Sequence, residues 1–327
     1  MYLDILKNKI FEQAEVYDKV KNGERSSVVW KAFHDTEWGI RDFNYLNRNR
    51  LAHYISYARI DDEETIKFLF VEELQDRKNN SFQGIGESLR ILTSLLQNYN
   101  ESGKYNYLFN EAKNANFDCA CGYEPNECED TCLEQMDVLD CIYLAMELQY
   151  LDVVETLVEE WKSGVVDWTD AERKKLIQFY DYLGKNNENA IQYNALLNTA
   201  IASGKCFDIV SAYNNIINCY MKEKQYELGY SYLKEMIATV DFKEILQIRL
   251  FASVLEESFE IICALDTPLF DLWKWAKKYL LNMEKQKMFG NLYKKAIAAA
   301  KRCGDPIATE LENEYITWKN TMGITRC

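Results

Sequence analysis

Apolar side chains recur along almost the whole chain at the i, i+3, i+4 spacing of one helix face. Two examples are the runs Tyr2-Ile5-Leu6-Ile10-Phe11 and Leu89-Leu92-Leu95-Leu96. No run alternates apolar and polar residues for long enough, between turn residues, to predict a β-sheet. Three prolines and thirteen glycines are few for 327 residues, which favours long helices with short connections. The sequence therefore predicts an all-α protein.

Helix starts are visible where acids and a capping residue precede an apolar run. Asp61-Asp62-Glu63-Glu64 stands before Thr65-Ile66, and acids at the positive end of the helix dipole stabilise such a start. Asp170-Ala171-Glu172 repeats the arrangement, with Thr169 or Asp170 as the N-cap.

Short turns separate the predicted helices. Glycine-containing turns occur at residues 100–105, 202–207 and 302–306, and glycine can adopt the left-handed conformation that ends a helix. Leu148-Gln149-Tyr150 and Lys224-Gln225-Tyr226 occupy equivalent places without glycine. Because the intervals between turns are uneven, the pattern predicts irregular antiparallel helical hairpins.

Residues 211–240 resemble the tetratricopeptide repeat. The run Tyr213-Asn214-Asn215-Ile216-Ile217-Asn218-Cys219-Tyr220 is similar to the first helix of that repeat, and residues 225–236 are similar to its second helix. Gly229 stands where the family places a small residue for close helix approach. A weaker copy runs from Leu92 to Ala112. The resemblance implies an irregular α-solenoid, tetratricopeptide-like in the C-terminal half, that binds a protein or peptide partner.

In that family the exposed face of each first helix lines a concave groove. Mapped onto the better repeat, the resemblance implies that five residues bind a partner: Ser211, Asn214, Asn218, Met221 and Lys222. The alternative is that these side chains are ordinary helix surface. The chain as a whole is expected to comprise an N-terminal helical region (1–116), a Cys-rich loop (117–135) and tetratricopeptide-like repeats (136–327).

The formal net charge is −14, from 52 acidic and 38 basic side chains. A field of that sign repels phosphate backbones and anionic lipid and attracts basic proteins. The expected partner is therefore a basic protein, and neither nucleic acid nor a membrane. The alternative is that the charge only keeps the protein soluble. Four arginines at positions 41, 48, 50 and 59 could form a local basic patch, but the acids around them favour a salt-bridged surface.

Four of the ten cysteines fall within fourteen residues, at Cys119, Cys121, Cys128 and Cys132. Four thiolates can surround a tetrahedral zinc ion, and Gly122 and Pro125 would allow the chain to reverse between two pairs. The spacing, C-x-C followed by C-x3-C, differs from the usual C-x2-C pairs. Structural zinc is therefore one hypothesis, and free loop thiols or buried apolar cysteines are the others.

No group of residues indicates catalysis, so the protein is not expected to be an enzyme. Only two histidines are present: His34 could pair with Asp35 or Glu37, and His53 is interpreted as a core or interface residue with a hydrogen-bond partner. Gly84-Ile85-Gly86 lies inside an apparent helical pattern with no strand before it, which argues against a dinucleotide site.

The first nine residues lack the apolar run of a signal peptide, and no stretch reaches the length of a membrane span. A cytoplasmic location with reduced cysteines is expected. The leading hypothesis is an interaction protein, for instance an acidic inhibitor or immunity-type protein that covers a basic toxin or enzyme. A peptide-responsive helical-repeat regulator is the second hypothesis, and an enzyme with an unrecognised site is the third. The composition is compatible with an oligomer.

Overall fold

A computed structural model describes residues 2–128, 132–246, 248–285 and 288–322. Residues 129–131 of the Cys-rich segment lie outside this described part. The described residues form an all-α fold apart from one short hairpin, which confirms the predicted fold class at that level. The chain divides into two compact units, Met1–Gly164 (unit 1) and Val165–Cys327 (unit 2).

Unit 1 contains nine of the described helices and the hairpin. In chain order the elements are α1 (Tyr2–Phe11), α2 (Ala14–Lys21), β1 (Ala32–Asp35), β2 (Gly39–Asp42), α3 (Tyr45–Tyr57), α4 (Glu63–Asn79), α5 (Glu87–Gln97), α6 (Asn106–Lys113), α7 (Phe117–Gly122), α8 (Val138–Glu147) and α9 (Leu151–Gly164). Short 3₁₀ turns lie at Pro125–Glu127 and Leu133–Gln135. Leu51, Ile66, Phe70 and Leu92 are fully buried in the core that α3, α4 and α5 share.

Unit 2 consists of successive helices with no strand among its described residues. They are α10 (Asp170–Leu183), α11 (Asn186–Ser203), α12 (Cys206–Lys222), α13 (Tyr226–Thr239), α14 (Arg249–Ala264), α15 (Phe270–Asn282), α16 (Gly290–Arg302) and α17 (Ile307–Thr321), with a 3₁₀ turn at Phe242–Glu244. Each helix from α10 to α14 packs against the next, and α14 also packs against α16, which pairs with α17. Ile216, Phe251, Phe259 and Leu292 lie in one continuous core.

The predicted helix starts and turns are present. The Asp62 side chain accepts a hydrogen bond from the Thr65 N–H at 3.1 Å, and Thr169 caps α10. Gly204 ends α11 with φ +68°. The two turns that lack glycine also adopt the left-handed conformation, because Gln149 has φ +52° and Lys224 has φ +57°.

The hairpin of β1 and β2 corrects the expectation that the chain has no strands. The strands pair antiparallel, with Phe33 opposite Arg41 and Asp35 opposite Gly39. The Asp35 carboxylate accepts hydrogen bonds from the N–H groups of Glu37 and Trp38, which closes the turn. Most hairpin residues are exposed on both faces, so burial imposes no alternating apolar pattern on the sequence.

Two segments lie in places that differ from the sequence expectation. Helices α8 and α9 pack against α1, so residues 136–164 belong to unit 1 and not to the helices of the C-terminal half. Residues 84–86 form part of the loop between α4 and α5, and Gly86 has φ +79°, which a helix does not allow. Within the described ranges, no helix is both long enough and apolar enough to cross a bilayer.

A cluster of charged side chains is buried beside the hairpin, between α3 and α4. The Arg48 guanidinium lies 2.7 Å from Asp42 and 2.9 Å from Glu73, and it also donates to the Val28 carbonyl at 3.1 Å. Arg77 pairs with Glu73 at 3.2 Å and with Asp76. We call these five residues the buried ionic cluster: Asp42, Arg48, Glu73, Asp76 and Arg77. Arg48 is fully buried, so it is not part of an exposed basic patch.

Candidate functional site

The five residues implied by the tetratricopeptide resemblance all lie on α12, but they do not form one exposed face. Asn214 and Met221 are only 7% and 8% exposed, so the expectation that they are helix surface is wrong for these two. Asn218 donates to the Glu257 carboxylate on α14 at 2.6 Å. Ser211 is half-buried, and Lys222 is exposed with Asp181 3.9 Å away. Partner binding by these residues stays a prediction.

Ser211 lines a groove between α10, α11 and α12. The groove has a volume of about 360 Å³, and its charged residues are Asp170, Lys174 and Asp208. Hydroxyl and amide groups from Thr199, Ser203 and Asn215 contribute to the same lining, together with several apolar side chains. The groove is therefore open and mixed in character, with no strong charge of either sign.

The four clustered cysteines contact different partners. Cys119 is buried with its Sγ 3.8 Å from the Gly84 carbonyl, and Cys121 is exposed. The Cys128 thiol donates to the Glu124 carbonyl at 3.4 Å, and the Cys132 thiol lies 3.1 Å from the Glu134 carboxylate.

The structure does not bring the described cysteines together as a group. Among the described residues, no three His, Cys, Asp or Glu side chains converge on a point that could hold a metal ion. Burial raises the pKa of both the Cys119 and the Cys128 thiol, so both are protonated at neutral pH when no metal is bound. Zinc binding by Cys119, Cys121, Cys128 and Cys132 stays a prediction.

The net negative charge of the chain is confined to unit 1. Unit 1 has 17 basic and 31 acidic side chains, whereas unit 2 has 21 of each. Within unit 1 the excess is concentrated further, because residues 101–164 carry 15 acids and only three lysines. We call residues 101–164 the acidic segment. It includes α6 to α9 and both 3₁₀ turns of unit 1.

A pocket in unit 1 is lined partly by residues of the acidic segment. It has a volume of about 490 Å³, which is within the range of small-ligand sites. Its carboxylates come from two helices: Glu87 from the first turn of α5, and Asp140 and Glu147 from α8. His53 and Tyr57 from α3 and Tyr143 from α8 also line it. We call it the His53 pocket.

His53 is the unusual member of this pocket. Its side chain is only 2% exposed, and neither ring nitrogen has a hydrogen-bond partner among the described residues. Its ring lies 5.6 Å from that of Tyr57. Burial lowers the pKa of His53 to about 3, so the imidazole is neutral at physiological pH. A neutral imidazole offers one N–H donor and one nitrogen acceptor.

The charged side chains that line the pocket are acidic. Burial raises the pKa of Glu147, a hydrogen bond from Asn49 at 3.0 Å lowers it, and the negative charge of Glu87 raises it again. The Asp140 carboxylate accepts from the Asp137 N–H in the capping box of α8. No lysine or arginine of the described residues lines the pocket.

Sequence reasoning treated His53 as a core histidine with a partner. The burial is confirmed, but the hydrogen-bond partner is absent from the described residues. The three carboxylates were not identified, because Glu87 lies more than fifty residues from Asp140 and only the fold brings them to one pocket. A count of charge by segment would have indicated the acidic region, since residues 1–100 are nearly balanced with 14 basic and 16 acidic side chains. His34 is exposed on β1 and lies outside this pocket.

Comparison with known proteins does not assign a family. No protein-family model matches the sequence, and no curated protein matches it. The chain is similar in structure to BtubC (BKLC) from P. vanneervenii, with a TM-score of 0.40 and 16% identity over 58% of this chain and 81% of that chain. A similarity at this level carries no information about function.

Proposed function

We propose that the protein is an interaction module whose acidic segment binds a basic protein partner. The observation that carries this proposal is the confinement of the net charge of −14 to unit 1, mostly to residues 101–164. Charge that served only solubility would not need to be restricted to one part of the chain. A concentrated field of one sign raises the rate at which an oppositely charged partner associates. An inhibitor or immunity-type protein is one functional class with this property.

Most acids of this segment are placed where a partner could contact them. Glu101, Asp118 and Glu127 are exposed on turns and on the short α7. Lysines pair with some of the others, for example Lys78 with Glu111 and Lys113 with Glu124. Exposed pairs of this kind contribute at most about 1 kcal/mol, so a basic partner can compete for these carboxylates.

Unit 2 supports a second candidate function, the binding of an extended peptide. Its helices α12 and α13 pack against each other, and a Cβ at Gly229 would lie in ordinary contact with the Met221 side chain at 3.7 Å and the Ile217 side chain at 3.8 Å. The irregular α-solenoid arrangement proposed for α10 to α17 would leave the groove beside Ser211 open to a peptide. This is the groove that a peptide-responsive regulator would use. The formal charge of unit 2 is zero, so its partner need not be basic.

The leading proposal is tested by capturing partners from the native host at low salt and then measuring association kinetics at several salt concentrations. The test variant removes three exposed acids of the acidic segment: Glu101→Gln, Asp118→Asn and Glu127→Gln. We expect a slower association rate for this variant and a steep loss of rate with salt for the wild type.

A matched control removes three exposed acids from unit 2, each in the first turn of a helix: Glu188→Gln, Glu227→Gln and Asp271→Asn. Both triple variants have the same net charge, so only the position of the charge differs. If the control variant loses as much association rate as the test variant, or if the rate is independent of salt, the acidic segment is not the binding surface.

A further inference from the structure

We propose that the His53 pocket holds a guanidinium group, supplied by an arginine side chain of the basic partner. This inference rests on the proposed function, because it names the side chain that would anchor that partner in unit 1. The pocket combines three carboxylates from two helices with a buried histidine whose ring nitrogens have no hydrogen-bond partner among the described residues.

The hydrogen-bonding groups of the pocket match a cationic donor. Ionised carboxylates only accept hydrogen bonds, and a guanidinium only donates them, through five N–H groups in a planar fork. Glu87 and Glu147 supply negative charge close enough together for one to raise the pKa of the other. A cation between two such groups relieves their repulsion, whereas an anion would increase it.

His53 adds an acceptor that does not depend on charge. As a neutral imidazole it can accept one N–H of the ligand through either ring nitrogen, depending on the tautomer. A buried polar group without a partner destabilises the folded chain, so a ligand that donates to it removes that cost. A cationic ligand would therefore contact both the carboxylates and the histidine.

The pocket favours a guanidinium over a metal ion or an ammonium group. No three metal-ligating side chains converge among the described residues, His53 and the three carboxylates included. The rings of Tyr57 and Tyr143 line the pocket, and a planar guanidinium packs on aromatic rings better than a compact, strongly hydrated ammonium does.

The test uses the full chain with two probes, arginine amide and the capped tripeptide acetyl-Gly-Arg-Gly-amide. Arginine amide keeps a charged α-amino group, whereas the only charge of the tripeptide is its guanidinium. The citrulline versions of both probes have nearly the same shape, but a neutral urea replaces the guanidinium. Calorimetry is expected to show citrulline probes binding about tenfold more weakly, which corresponds to one charge-assisted hydrogen bond. If arginine and citrulline probes bind alike, or if neither binds, the proposal is wrong.

Nuclear magnetic resonance of the two histidines can show where the ligand binds. In a chain labelled with ¹⁵N-histidine, the arginine probes are expected to shift the imidazole nitrogens of His53, while the exposed His34 provides an internal reference. A shift of His34 with none at His53 would place the ligand elsewhere and overturn the proposal. Binding of free arginine amide without binding of the tripeptide would overturn the assignment to a protein side chain, and would indicate a small-molecule cation.

Two isosteric variants test the carboxylates. Glu147→Gln and Glu87→Gln each remove one charge, and the glutamine at 147 can still accept the hydrogen bond from Asn49. Each variant is expected to bind the arginine tripeptide about tenfold more weakly than the wild type does. Glu188→Gln, which makes the same change of net charge at an exposed position of unit 2, should leave the affinity unchanged. Equal losses in all three variants would show that only the overall charge matters.

These outcomes separate the pocket from the proposed function. If the tripeptide does not bind but the triple variant of the acidic segment still associates more slowly with the partner, the pocket assignment fails and the proposed function stands. If the tripeptide binds as expected but partner association is insensitive to the acidic-segment variant, the pocket assignment stands and the proposed binding surface is wrong.

Discussion

Replacement of Arg48 by methionine tests the buried ionic cluster of unit 1. Methionine keeps an unbranched side chain of similar length but removes the guanidinium. Asp42 then loses its 2.7 Å contact, Glu73 loses its 2.9 Å contact and the Val28 carbonyl loses a donor. In the wild type, two arginines face three carboxylates. In the variant, one arginine faces the same three.

The expected loss follows from these contacts. Removing one partner from a buried charge pair typically costs about 3–5 kcal/mol, because it leaves an uncompensated charge in the interior. Two charge-assisted hydrogen bonds at about 1.5–3 kcal/mol each give a similar figure. Burial already raises the pKa of Asp76 above its ordinary value, so proton uptake there can absorb part of the cost at low pH.

The assay is urea unfolding at neutral pH, followed by tryptophan fluorescence and circular dichroism. In a thermal melt, the same loss of about 3–5 kcal/mol in unit 1 corresponds to a melting temperature that is lower by about 6–20 °C. Arg41→Met is the matched control, since Arg41 is exposed on β2 and the same change of charge there should alter the free energy of unfolding by less than about 0.5 kcal/mol.

Two results would refute the reasoning. One is an Arg48→Met variant whose free energy of unfolding matches that of Arg41→Met. The other is a double variant, Arg48→Met with Glu73→Gln, that is as unstable as Arg48→Met alone. If uncompensated negative charge causes the loss of stability, removing the Glu73 carboxylate should restore part of it.

Three further predictions concern pH and backbone strain. Burial lowers the pKa of His53 to about 3. Between about pH 3 and about pH 6.5 the unfolded chain therefore binds a proton at this histidine and the folded chain does not. The free energy of unfolding consequently decreases as the pH falls, by up to about 1.4 kcal/mol for each pH unit. Urea unfolding at pH 7 and pH 5 should show a smaller loss for His53→Phe than for the wild type. Burial raises the pKa of Glu257 well above its ordinary value, so the folded carboxyl keeps a proton that the unfolded chain releases, and stability falls as pH rises above about 4.5. Glu257→Gln should therefore melt at a higher temperature than the wild type at pH 8, and a lower one would contradict this assignment. Gly86→Ala should destabilise the protein more than Gly184→Ala does. Both glycines have a positive φ, but only at Gly86 would the new Cβ lie 2.9 Å from Arg77, whose ion pairs are buried. Equal free energies of unfolding for the two variants would count against a steric cost at Gly86.

The helices and their ends could be predicted because they depend on local sequence. Asp62 and Thr169 cap helices through their own side chains and need no distant partner. Gln149 and Lys224 could be placed in turns even without glycine, since the apolar pattern stops on either side of them. Such features depend on residues within about one helical turn, which is the range over which sequence patterns are informative.

The hairpin, the boundary between the units and the His53 pocket could not be predicted, for different reasons. The strands are four residues long and exposed, so they lack an alternating pattern. The boundary depends on the packing of α8 and α9 against α1, which lie more than a hundred residues apart in the chain. His53 and Glu87 do not belong to any sequence motif. Their properties depend on burial and on the fold, which brings them to the same pocket.

The pairing of the acids within unit 1 bears on whether its charge has a function beyond solubility. Lysines from other parts of the unit reach the acidic segment, such as Lys7 at 3.7 Å from Glu134 and Lys9 at 3.5 Å from Asp152. Three lysines within the segment itself cannot neutralise fifteen acids, so like charges repel one another and oppose the compact state. Unit 2, with 21 charges of each sign, shows that the same chain can form a helical unit without such an excess. Because the excess destabilises the unit that carries it, a cationic partner that neutralises residues 101–164 should raise the melting temperature of the protein, and more so at low salt.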